Sequence, residues 1–308
     1  MKAKILSIIA LCFTQYSYAL VDYSETEGYK SSSSTRKTKR STAPRITQKA
    51  PPKTRAASSG GPTMLEFSTS FEQQKVSGHD VDGNVNKVSF SGHIQTQYNL
   101  YLDFSYWAAS NKLNTMEEAS NYEQGRPEFI LGFNWLRFGA AQEMATVDIY
   151  GGATFKGKDD IASTRTDKIV GIETSKRFYD FAVAIGYEYV LSGSTTDPLE
   201  LSIGNISTLK TSLAWVVSGD INFVLEGGMV SVGDDSASDN TYKLLDEAKF
   251  SYVKPSLNLG LSRSINFEMG GVFRTRRAKD VDTLVDAKLW NVPGAYGNSL
   301  FAGLNFSI

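Results

Sequence analysis

Cysteine is nearly missing from this chain of 308 residues, which has one Cys and two His. A disulfide framework needs Cys pairs, and metal clusters or thiol chemistry need more of both residues, so those classes fall away. Long apolar runs are missing too. After the N-terminus no segment reaches the eighteen or so consecutive apolar residues of a membrane helix. A charge excess is missing as well: the formal net charge is −1. What the chain does have is aromatic residues, with 15 Tyr and 17 Phe.

The first residues read as a secretory signal over 1–19. Lys2 and Lys4 supply a positive start, residues 5–13 an apolar core, and Ser17-Tyr18-Ala19 a small-x-small cleavage site. The expected mature chain begins at Leu20 and contains no Cys, because Cys12 lies inside the apolar core. Leu11 stands where a lipidation site has a small residue, which argues against a lipoprotein. The chain is thus expected to be exported without a helical span: soluble outside the cytoplasm, or inserted as a barrel.

Residues 20–62 form a separate segment rich in Ser, Thr, Pro and basic residues. Between residues 30 and 55 there are nine Lys or Arg and no acid, including Arg36, Lys37, Lys39, Arg40, Arg45, Lys49, Lys53 and Arg55. So little apolar surface cannot offset chain entropy, and a disordered arm is expected. The remainder, 63–308, has 21 basic and 30 acidic residues, so a basic arm precedes an acidic body.

From Met64 onward the dominant period is two. Phe181, Val183, Ile185, Tyr187 and Tyr189 alternate with small or polar residues, as do Leu300, Ala302, Leu304, Phe306 and Ile308. Alternation marks strands with one apolar and one polar face. Twelve are expected, near 63–77, 86–97, 100–109, 127–139, 146–157, 167–177, 180–191, 207–217, 221–233, 248–261, 265–276 and 297–308. Connections alternate between short and long, with long ones at 110–126, 192–206, 234–247 and 277–296. A soluble sandwich has no reason for that asymmetry. A transmembrane antiparallel up-and-down β-barrel does, with short periplasmic turns and long external loops. An even strand count closes it without the unpaired edge that lipid forbids. Asn99, Asn222 and Asn266 are placed at or just after tight turns, where Asn suits the backbone. Tyr98, Phe178 and Tyr179 at the turns, and Trp107, Tyr187 and Tyr189 toward the other strand ends, are expected to form two aromatic girdles.

The C-terminal strand is the most specific motif. Gly303, Phe306 and Ile308 resemble the assembly signal of Gram-negative outer-membrane β-barrel proteins, with Phe301 at the usually polar position and Ile308 at the usual Phe. The resemblance covers about 63–308 and is porin-like, without a particular family. It implies outer-membrane lipid and the barrel-insertion machinery as partners, and a periplasmic N-terminal arm and C-terminus. It implies no activity, since one architecture hosts pores, enzymes and anchors.

If the apolar parity faces lipid, the other parity lines a lumen. The expected lining acids are Glu66, Asp103, Asp148, Glu173, Glu226 and Glu268, with Glu72, His93 and Glu188 on the same parity. The expected lining bases are Lys156, Lys210, Lys254 and Arg274. The periplasmic half should be acidic. Two readings stay open: a closed barrel of paired charges, or a water-filled channel favouring cations. Twelve strands lie between the filled and open sizes. Passive diffusion of small solutes, cation-leaning, is the leading expectation. A non-conducting structural or interaction barrel is the alternative. The basic arm is expected to dock at the acidic mouth or to contact anionic cell-wall polymer, and not to bind nucleic acid.

Other chemistry is thin. Gly152, Gly157 and Lys158 have phosphate-loop spacing, but Asp159 replaces the Ser or Thr that meets magnesium and no helix follows. Asp80, Asp82 and Asn84 read as a turn, since Ser91 stands where a calcium loop needs an acid. Asp234 and Asp235 add nothing firmer. His79 falls in a loop and His93 points inward, so a lipid-cleaving enzyme is not expected. Neither a cofactor nor a metal is expected.

Overall fold

A computed structural model describes residues 64–96, 98–114, 122–140, 143–157, 161–198, 200–235, 247–279 and 281–308. The expected signal and the basic arm, Arg36 to Arg55 included, lie outside the described residues.

Alternation has its expected result. The strands are β1 (Met64–Ser77), β2 (Asp82–Gln95), β3 (Leu100–Leu113), the two-residue β4 (Glu123–Gln124), β5 (Glu128–Phe138), β6 (Ala145–Thr154), β7 (Asp167–Phe178), β8 (Phe181–Leu191), β9 (Ile206–Ser218), β10 (Ile221–Val232), β11 (Ala248–Ser262), β12 (Ile265–Arg276) and β13 (Ser299–Ser307). Each long strand pairs antiparallel with its sequence neighbour, and β1 pairs with both β2 and β13. Twelve strands therefore close into one barrel, and β4 is a short flank on β3. The seam runs from Glu66 opposite Ser307 to Gln74 opposite Ser299. At that seam a Cβ on Gly303 would stand 2.6 Å from the Thr69 carbonyl oxygen, so glycine lets the closing strands approach.

The outer face is apolar. Leu131, Phe133, Ile149, Ile172, Ile185, Leu213, Met229 and Met269 are among the exposed large side chains. Water does not tolerate a continuous apolar belt of this kind on a monomer, whereas hydrocarbon does. Phe178, Tyr179 and Tyr98 stand exposed at the short-turn end. Trp107 departs from the expected girdle: it is 3% exposed and faces inward, because it shares the parity of Asp103 and Ser105 on β3.

Turn chemistry follows the expectation. Asn99 takes the left-handed conformation at φ 60°, as its residue type suits. Asn222 and Asn266, the second residues of β10 and β12, stand just after the tight turns that precede those strands. Tyr179, at φ 55°, makes the bend between β7 and β8.

The connection between β12 and β13 folds into the barrel. It contains the helix α1 (Val281–Asp286), whose Val281, Leu284 and Val285 are buried. Leu289, Trp290, Ala295 and Tyr296 follow, also buried. They pack against the inward residues Val76, Val230, Val232, Phe250 and Tyr252 near the long-loop ends of their strands.

Candidate functional site: the barrel lumen

The lumen divides into two halves. Its long-loop half holds a cavity of about 230 Å³. The floor and walls carry Glu72, Lys87, Glu188, Lys210, Glu226 and Lys254, each on the inward parity of its strand. These charges are paired. Lys87 Nζ lies 2.7 Å from Glu72, Lys210 Nζ 3.0 Å from Glu188, and Lys254 Nζ 3.9 Å from Glu226. Tyr150 donates to Glu188 at 3.1 Å and Tyr252 to Glu226 at 2.8 Å. Lys254 Nζ also stands 5.3 Å from the Phe301 ring centroid, a cation–π distance. Buried charges without such partners would cost several kcal/mol each.

The cavity is roofed by residues 288–293. The roof is tied down at several points. Arg165 donates to the Ala287 carbonyl at 2.9 Å, Lys87 to the Trp290 carbonyl at 3.3 Å, and Leu201 N–H to the Asp286 carbonyl at 3.2 Å. Beneath Arg165, Asp167 accepts from both Arg126 at 2.8 Å and Arg165 at 3.2 Å, and Glu200 lies 3.4 Å from Arg165. Thr164 N–H and its hydroxyl each donate to Glu200 at 2.8 Å. On the opposite rim the Asp282 carboxylate accepts from the backbone N–H groups of His79, Asp80 and Val81 at 2.8 to 3.2 Å. Burial alone would push Asp282 up. The bonds from Val81, His79 and Asp80 outweigh it and hold the carboxyl below its ordinary range. Gly78 makes room for this contact: a Cβ there would meet Asp282 Oδ1 at 1.7 Å.

The short-turn half is different. Glu66, Asp103, Asp148, Glu173 and Glu268 project inward, joined by amides such as Asn134, Asn222 and Asn305. His93 Nδ1 lies 2.5 Å from Asp103. Thr146 and Asn134 donate to Asp148. Among the described residues, Arg137 and Arg177 share the inward parity only at the rim, and their Nε groups donate to Met144 and to the Tyr179 carbonyl. On the wall formed by β7 to β10, Glu173, Gly186, Lys210 and Glu226 line a notch of about 10 Å³, roughly the size of one water.

The sequence-predicted residues separate accordingly. Glu226, Lys210 and Lys254 meet in the cavity wall, and Glu66, Asp103, Asp148, Glu173 and Glu268 stand below it. Arg274 keeps the inward parity near the end of β12. Lys156 is a correction: β6 ends at Thr154, so Lys156 lies exposed in the following loop. Phe306 and Ile308 are exposed on the outer face. Lys158 and Asp159 lie outside the described residues. Among the described residues no group of three or more His, Cys, Asp or Glu is placed to hold a metal.

Several lumenal residues escaped the sequence reading. Lys87 has the parity of His93, and Asp167 that of Glu173, so alternation alone could have found them. Arg126, Arg165, Glu200 and Trp290 lie outside the long strands, where alternation carries no signal.

With this geometry in view, similarity to solved structures is informative about fold. An outer membrane channel from Pseudomonas putida F1 has a TM-score of 0.57 at 10% identity, covering 82% of this chain and 98% of that one. The NanC porin has a TM-score of 0.45 at 13% identity, covering 79% and 98%. Outer membrane phospholipase A from Escherichia coli has a TM-score of 0.46 at 14% identity, covering 78% and 92%. No protein-family model matches the sequence, and no curated protein matches it either. The chain has the fold of an outer-membrane β-barrel protein.

Proposed function

We propose that the chain is an outer-membrane channel for small solutes, with the short turns, the N-terminal arm and the C-terminus on the periplasmic side. The carrying observation is the cavity of about 230 Å³ in the barrel axis, walled by ionic and polar groups where a structural barrel would be filled. The carboxylates of the short-turn half supply the reason for a cation preference, since like charges lining a pore favour the opposite sign. Solute moves by diffusion, and the inward side chains select by charge and size rather than by a covalent step.

Lipid meets the apolar outer belt, and the insertion machinery reads the strand ending in Gly303, Phe306 and Ile308. The basic arm over 20–62 is tethered beside the acidic mouth, where its effective concentration is high. It docks there or on anionic cell-wall polymer.

Conductance of the purified protein in a planar bilayer tests this, with and without residues 20–62. Stable steps with a cation-biased reversal potential are expected. Silence from a folded barrel of either form removes the channel and leaves a structural barrel. The roof over 281–296 is the observation that favours this second reading.

A further inference from the structure

Lys254 differs from the other lysines of the cavity wall. Lys87 pairs with Glu72 and donates to the Trp290 carbonyl, Lys210 donates to Glu188, and Lys288 donates to the Ala162 carbonyl. The Lys254 ammonium stands 3.9 Å from Glu226, too far for a hydrogen bond. It also lies 5.3 Å from the centroid of the Phe301 ring. Among the described residues it makes no hydrogen bond, although its side chain is only 18% exposed. An ammonium carries three donors. A polar gap of this width beside a cavity is a place for a water or a ligand atom.

The group that fills the gap must accept hydrogen bonds. A cation supplies no acceptor. An anionic acceptor is disfavoured, because Lys254 already lies in the field of Glu226, Glu268 and Glu72, and a further carboxylate or phosphate would meet three like charges. Nor does the cavity as a whole favour one sign: five carboxylates and six basic side chains line it. An uncharged acceptor remains. A hydroxyl suits the surroundings, since the same atom accepts from Lys254 and donates to Glu226 or Glu72 without separating an ion pair. Phe301 stands opposite Glu72 in the closing seam, so the pairs Glu72–Lys87 and Glu226–Lys254 flank one ring. Several hydroxyls on one small body would meet both pairs. The rings of Tyr252, Trp290 and Phe301 line the same space and offer apolar surface to its C–H groups. The volume of about 230 Å³ is below that of sites for drug-sized ligands and suits a single small ring.

We propose that this cavity binds uncharged polyhydroxylated rings of monosaccharide size, with a hydroxyl oxygen on the Lys254 ammonium and hydroxyl protons donated to Glu226 and Glu72. The proposal rests on the channel reading for the route by which solute enters, and it names that channel's substrate class.

The test is isothermal titration of the full chain in a detergent without a sugar headgroup. The probes are glucose, galactose and myo-inositol, with glucuronate as the ring that carries one added carboxylate. At least one uncharged probe should bind, roughly tenfold tighter than glucuronate, whose charge is set against the carboxylates around Lys254. Lys254→Met keeps the stem and removes the donors, and it should weaken that probe about tenfold, as loss of a hydrogen bond from a charged group does. Lys254→Gln keeps an uncharged donor and should weaken it severalfold. Heat-modifiable gel mobility checks folding, and Lys254→Gln carries the test if Lys254→Met does not fold. No binding of any uncharged probe to the folded barrel, glucuronate binding as tightly as they do, or unchanged affinity in a folded Lys254 variant overturns the proposal. Binding with the expected order but no bilayer conductance would leave the site standing and sink the channel reading. Conductance without binding would sink the site alone.

Discussion

The two halves of the barrel share one wall and differ in what fills it. Outside, both present the same apolar parity to lipid. Inside, the long-loop half matches nearly every carboxylate with a cation: Glu72 with Lys87, Glu188 with Lys210, Asp167 with Arg126 and Arg165. The short-turn half leaves Asp148, Glu173 and Glu268 among amides and hydroxyls. The difference follows from water. A roof over the long-loop half encloses its charges, and an enclosed charge needs a partner. Among the described residues the short-turn half has no comparable roof, and β7–β8, β9–β10 and β11–β12 are joined there by two-residue bends, so nothing described demands that pairing. The wall is thus one repeated solution, and each end of the lumen is a separate one.

The comparison can be broken most strongly by removing the roof. Replacing 281–296 with a short Gly-Ser link should raise single-channel conductance severalfold, because the strands keep their own pairing. Unchanged conductance would mean that the roof does not limit the pore. Next in size is Glu200→Ala. It strips Ser163, Thr164 and Arg165 of a common acceptor, and unpairing a buried ion costs about 3 kcal/mol. Loss of the thermal transition of the long-loop region at lower temperature, or new protease cuts in 277–296, would register it.

A smaller effect is expected at the Asp282 latch. Asp282→Asn, or Gly78→Ala, should loosen the roof by about 1 kcal/mol, a charged but partly exposed contact. Acid should do the same. The folded carboxyl is held below its ordinary value of 3.8, so its contribution is present above that pH and lost as pH falls through the folded value. Hydrogen exchange of the 79–81 amides, followed from neutral pH to below 3.8, measures it. Protection that persists in acid would remove Asp282 from the latch. Smallest is the joint change Asp148→Asn with Glu268→Gln, which should shift the reversal potential toward anions by several millivolts while leaving total conductance nearly unchanged. A reversal potential that stays put would mean the short-turn acids do not select.

Much of the wall was legible in advance. The twelve segments, their alternating short and long connections, and the inward parity of Glu226, Lys210 and Lys254 all follow from a period of two. What failed has a common cause. Trp107 was assigned to a girdle by residue type, yet its parity with Asp103 points it inward, so periodicity outranked composition. Lys156 was assigned by parity beyond the end of β6, where parity no longer applies. Arg165 and Glu200 gave no signal: 35 positions separate them, and no local pattern pairs residues across two loops.

The amino-acid sequence by itself determined the closed sheet, the apolar exterior and the placement of most lumenal charges. Each of these depends on which side of a strand a residue occupies, a strictly local property. Only the tertiary structure decided that the loop over 277–296 turns inward and which charges are neutralised. It also decided that Trp107 Nε1 and Trp290 Nε1 in the cavity wall have no protein partner among the described residues. Those outcomes depend on contacts between segments far apart in sequence, formed only once the barrel closes and brings Ala287 over Arg165 and Trp290 over Lys87.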